Sequence, residues 1–181
     1  MALWKIMYDS WQMECCGEPF SVGDEVSWPL LMLPSAARDA WTWQDCLTTL
    51  EAPDGTAGDG TSLVRGPGLV AIRTADDPVG KGAELSGYLS VERHGGTIPG
   101  VSPSVGTVRS LHVVTQGYAV DPAGSGAYEA VPDERWLSPV DTCPKWFTKL
   151  AQPPAPRREG YRRVATGVLV GLATEESGRP S

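Results

Sequence analysis

"WQMECCGEPFSVGDEVSW", Trp11 to Trp28, decides the fold class. Phe20, Val22, Val26 and Trp28 lie at even spacing. Side chains alternate faces along a strand, so these four can share one face. Gly23-Asp24 interrupts the run and supplies a bulge or a tight turn. Pro29 cannot donate to a sheet ladder, so it marks an edge or a bend. The stretch therefore reads as a loop leading into a curved strand. Gly17 and Gly23 set the bends.

Two other stretches, "SVGTVRSLHVV" (Ser104 to Val114) and "ATGVLVGL" (Ala165 to Leu172), begin in the same way. Each places a small residue or valine, then Gly, before a β-branched run. There is no fixed repeat period; these are strands that begin with a sharp turn. The expected fold is mainly β: a small, strongly curved sheet or barrel of five to seven strands. Leu3 to Tyr8 reads as a central strand. Leu63 to Arg73 reads as a strand interrupted by Gly-Pro-Gly, and Glu84 to Arg93 as a half-buried strand. From Thr107 onward Val108, Leu111 and Val113 keep step only if one residue bulges. Tyr161 to Thr174 closes the chain with a strand. Ser35 to Leu50 carries a capping serine and Ala40, Trp43, Leu47 and Leu50 at helical spacing, which predicts one helix near residues 35–50. Residues 121–160 read as long connections with one short helix at Lys145 to Leu150. The expected organisation is a single β-rich domain over 1–175, with a frayed tail at 176–181.

The bulk numbers bound the function classes. A chain of 181 residues buries roughly 70% of its unfolded surface, so it folds without needing disulfides or metal. Its net charge is −7. That opposes extended nucleic-acid binding, which needs clustered Lys and Arg. Arg157, Arg158, Arg162 and Arg163 form one local basic edge. Lys5 and Asp9 interrupt what would be a secretory signal core, and no apolar window reaches membrane length. A soluble, cytoplasmic protein without a membrane role is expected, its four cysteines held as reduced thiols.

On the Trp11 to Trp28 stretch, supported by "SVGTVRSLHVV" and "ATGVLVGL", the chain resembles an uncharacterised family of small proteins from streptomycete-type actinomycetes. The resemblance extends over most of the chain and implies one intact domain. It carries no activity.

Candidate chemistry centres on Cys15-Cys16. On a strand, adjacent residues face opposite ways, which would put one thiol in the core as a small hydrophobe. A zinc site is disfavoured by spacing, because no C-x-x-C is present. The metal alternative is Cys15 and Cys16 with His94. The catalytic alternative is Cys16 as nucleophile with His94, which opens a Gly-Gly loop, as its base. His112 points away from Leu111 and Val113. The Gly-rich segments lack nucleotide-binding spacing, so no cofactor is expected. Trp11, Trp136 and Trp146 are candidates for a partner-binding surface. The expected function is a non-catalytic binding or accessory module for a protein or small ligand. The alternative is a small enzyme or metal-dependent protein centred on Cys16 and His94.

Overall fold

The computed structural model describes residues 1–35, 45–74, 77–95, 100–121, 123–124, 126–150 and 159–175. Strand β1 (Ala2–Asp9) is central, as its apolar run predicts. It pairs antiparallel with β10 (Tyr161–Thr174) over its whole length, from Ala2 opposite Thr174 to Asp9 opposite Gly167. On its other side it pairs parallel with β7 (Ala83–Val91) at Ile6–Leu89. Between these come β2 (Glu25–Trp28), β3 (Leu30–Pro34), β4 (Thr48–Ala52), β5 (Thr61–Gly66) and β6 (Leu69–Thr74). The long strand β8 (Ser104–Val120) precedes β9 (Tyr128–Pro139).

The ten strands form one sheet in the order β2-β8-β10-β1-β7-β3-β6-β5-β4, with β9 added to β8. Strand β4 also pairs with β7, from Thr48–Gly87 to Ala52–Ala83. That pairing closes β3 to β7 into a five-stranded barrel. The fold is mainly β, with 59% strand and 8% helix.

Local chemistry explains the joints. β5 and β6 form a hairpin closed by Pro67-Gly68, Gly66 pairing with Leu69. Gly68 has φ +66°, the left-handed geometry that glycine adopts after proline in a type II turn. The Gly-Pro-Gly segment therefore separates two strands rather than interrupting one. Pro29 lies between β2 and β3, and β2 is an edge strand, as proline requires. In β8 the pairing steps from Ser110–Gly171 to Val108–Leu172, leaving Arg109 as an extra residue. This is the bulge that Val108, Leu111 and Val113 need to stay in phase, and all three are buried.

Three expectations are corrected. Thr48 to Leu50, placed in the helix near 35–50, belong to β4, where β-branched threonines pair with Gly87 and Ser86. Residues 36–44 of that helix lie outside the described residues. The connection expected over 121–160 contains β9. Its pattern was masked by Pro132 and Asp133, which sit in a bulge where 131–134 lie opposite Gly117 alone. Asp133 has φ +62° there. The buried Gln116 Nε2 fills the bulge by donating to the carbonyls of Gly117, Val131 and Glu134 at 2.9–3.1 Å. Finally, Val22 does not share a face with Phe20 and Trp28. It lies in the Ser21–Asp24 turn and is exposed, whereas Phe20 and Trp28 are buried.

Phe20 and Trp28 meet Tyr8 in an aromatic cluster. The Phe20–Trp28 centroids are 4.9 Å apart and the Tyr8–Trp28 centroids 5.5 Å, both edge-on. Val108, Leu111, Val168, Val170 and Leu172 continue this core along β8 and β10.

Candidate functional site

The cysteine stretch is helical. Helix α1 spans Ser10–Cys16. This corrects the expected loop and strand, and with it the expectation that one thiol faces the core. Both Cys15 and Cys16 are exposed. On a helix, residues four apart share a face, so Trp11 and Cys15 project together.

Helix α1 ends at Gly17, whose N–H donates to the carbonyls of Gln12 and Met13 at 3.0 and 3.1 Å. Gly17 is required for space rather than conformation, since its φ is −84°. A Cβ there would lie 2.6 Å from both Met13 Sδ and Tyr8 Oη.

Three side chains fasten this short helix. Gln12 is buried; its Nε2 donates to the Val91 carbonyl at 2.9 Å and its Oε1 accepts from the Arg93 N–H at 2.6 Å. The amide thus extends the backbone pattern at the end of β7. Lys145 Nζ donates to the carbonyls of Met13 and Gly17 at 2.7 and 2.9 Å. A cation at this end also suits the helix dipole. Glu14 Oε1 accepts from the Phe147 N–H at 2.9 Å.

Gln12 brings the turn after β7 against α1. In that turn Glu92 Oε1 accepts from the N–H groups of His94 and Gly95 at 2.8 and 2.9 Å. His94 Nδ1 consequently lies 3.9 Å from Cys15 Sγ. The Trp11 ring packs edge-on against the imidazole, 5.5 Å between centroids. Cys15 and Cys16 are joined as a vicinal disulfide, which corrects the expectation of four reduced thiols. One ligand atom each from Cys15, Cys16 and His94 fall within 4.8 Å of one another, all on exposed residues.

The structure therefore gathers Cys15, Cys16, His94 and Trp11 at one corner. Cys15, rather than the expected Cys16, makes the sulfur–imidazole contact, because α1 turns it toward the β7 side. Trp146 is exposed, with Lys145 and Lys149 Nζ each 5.5 Å from its ring. Trp136 lies on β9 beneath the Arg163 guanidinium at 4.1 Å. Arg162 similarly covers Tyr128 at 4.0 Å, so the described part of the basic edge packs on aromatic faces. His112 is half-buried in β8, paired with Leu169 and Pro139, and takes no part in the corner.

The other two cysteines are different chemically. Cys46 and Cys143 are buried and unpaired. Burial, reinforced by the Asp45 carboxylate, pushes the Cys46 thiol up to about 11. Burial pushes Cys143 up to about 12. Both stay neutral near pH 8, and only a thiolate attacks an alkylating agent. Intact-mass measurement after iodoacetamide at pH 8 should find no adduct on the oxidised protein and two on the mildly reduced one, at Cys15 and Cys16. Adducts on Cys46 or Cys143 in the folded chain would contradict this. Both shifts also favour folding while the thiols are neutral. That contribution is full below the ordinary thiol value of 9.0 and is lost as pH rises through about 11 to 12.

Residues 2–174 match the model of a family of unknown function, DUF6578. The chain belongs to that family. The matched span includes α1, the His94 turn and the Lys145 segment that fastens α1. No curated protein and no solved structure matches the chain. Among the described residues no helix is long and apolar enough to cross a membrane.

Proposed function

We propose that this protein is a non-catalytic binding module whose ligand is a soft or borderline metal ion, held by Cys15, Cys16 and His94. The observation that carries the reading is the approach of two sulfurs and one imidazole nitrogen to within 4.8 Å of one another. Two thiolates and an imidazole form a donor set suited to Zn²⁺ or Cu⁺ and poorly suited to Mg²⁺ or Ca²⁺. Three protein ligands leave a fourth tetrahedral position for a small molecule or a partner's side chain. Trp11 would wall that position on the imidazole side.

The disulfide makes the module redox-dependent. Joined sulfurs offer no thiolate, so binding requires prior reduction. A dithiol reductant would supply two electrons, the sulfur–sulfur bond would break, and the reductant would leave as its own disulfide. Metal uptake then displaces the two thiol protons, so affinity falls as pH is lowered.

Cobalt titration of the reduced protein tests the reading. One equivalent of Co²⁺ should bind, with a thiolate-to-cobalt absorption band. The oxidised protein and the Cys15→Ser/Cys16→Ser variant should bind none at the site. Equal cobalt retention by the reduced wild type and the double-serine variant would overturn it.

A further inference from the structure

A second candidate lies on the other side of the His94 turn. Between the Gly17–Asp24 segment, β2 and Arg93 there is an open cleft of about 360 Å³. That falls within the usual size range of small-ligand sites. Its polar lining is divided by charge. Glu18, Asp24 and Glu25 supply carboxylates; Arg93 supplies the guanidinium, and Tyr8 also lines the cleft.

Tyr8 is the informative residue. It is only 1% exposed. Its ring is fixed by Phe20 and Trp28, yet its hydroxyl has no hydrogen-bond partner among the described residues. The Tyr8 ring is buried, but its hydroxyl reaches the open cleft, where it is free to meet a ligand. Burial raises the Tyr8 pKa, so the hydroxyl keeps its proton at neutral pH and can donate. Arg93 is close enough to influence that ionisation. It forms no ion pair among the described residues. Tyr8 and Arg93 thus line the cleft as two donors without an acceptor among the described residues.

The charges select the ligand class. A simple anion would suit Arg93 and Tyr8 but would meet three carboxylates. A simple cation would suit the carboxylates but would leave Tyr8 unpartnered and meet Arg93. Tyr8, Phe20 and Trp28 all line the cleft but their rings are almost wholly buried, so they present no open face on which a sugar or base would stack. We infer that the cleft binds a small zwitterion of amino-acid or dipeptide size, its carboxylate on Tyr8 Oη and Arg93 and its ammonium among Glu18, Asp24 and Glu25. Asp24 is already held in place, its Oδ2 accepting from the Ser21 N–H at 2.8 Å.

The test uses oxidised, ¹⁵N-labelled protein, in which the proposed metal site is closed, so the two ideas fail separately. Glycylglycine, N-acetylglycylglycine and glycylglycinamide are titrated, with the Trp28 indole N–H and Arg93 amide as reporters. Glycylglycine should shift both resonances to saturation. Each blocked form should bind at least roughly tenfold more weakly, as expected for loss of one charged hydrogen-bonding group. Tyr8→Phe, which keeps the ring packing, should weaken glycylglycine by a similar factor, and Arg93→Gln by at least as much. No shift at millimolar glycylglycine, or equal binding of either blocked form, would overturn the assignment.

Discussion

Trp28→Ala is expected to destabilise the fold by about 3–5 kcal/mol, the usual cost of truncating a buried aromatic. Trp28 is 4% exposed and closes the cluster with Tyr8 and Phe20. It also ends a four-residue edge strand, whose pairing with β8 runs only from Glu25–Thr107 to Trp28–Ser104. So short an edge has little ladder of its own, and side-chain burial must hold it. At roughly 2–4 °C per kcal/mol for a chain of this size, Tm should fall by about 10 °C. Trp28→Phe retains most of the apolar contact and should lose less than half as much. Urea unfolding of both variants decides the matter. A loss below about 1 kcal/mol for the alanine variant would mean that the cluster is not part of the stabilising core.

Gln12→Leu should reduce stability and metal binding together. Leucine is close in volume but leaves the Val91 carbonyl and the Arg93 N–H without their partners. Each stranded buried backbone group costs about 1–3 kcal/mol. The same amide sets the spacing between α1 and the His94 turn. Residues that orient ligands without touching metal typically change affinity by roughly 10–100-fold, and that loss is expected in the cobalt titration of the reduced variant. Gln12→Glu keeps the acceptor for Arg93 N–H but sets a carboxylate oxygen against the Val91 carbonyl, so it should fail similarly. Unchanged cobalt affinity in Gln12→Leu would show that α1 and the His94 turn hold their spacing without this clamp.

The fold class was legible because the strands carry their own alternation and their own breaks. The Arg109 bulge could be read from three valine and leucine positions that fall out of phase, and the closing strand from its unbroken apolar run. Strand β9 was illegible because Pro132 and Asp133 occupy a bulge that only Gln116, on another strand, makes tolerable. Helix α1 was illegible because seven residues form barely two turns, too few for periodicity to show. This misplaced the cysteines: Cys15, Cys16 and His94 could be named from donor chemistry, but the face they share could not. Trp11 and Cys15 are helical neighbours only once the helix is known. Gln12 and Lys145 gave no signal at all, since both act on backbone atoms far away in sequence.

The pairing of β1 with β10 has a consequence for how the chain is made. Ala2 meets Thr174 and Asp9 meets Gly167, so β1 finds its full-length partner only once β10, the last of the described strands, has been made. Lys145 and Phe147, which fasten α1, are also synthesised late. Closing such long loops delays folding. Until β10 and Lys145 have been made, Cys15 and Cys16 are therefore thiols without His94 beside them in a fixed geometry. Their oxidation state is open to the surrounding thiol pool before the site exists, and the finished fold inherits whichever state that encounter leaves.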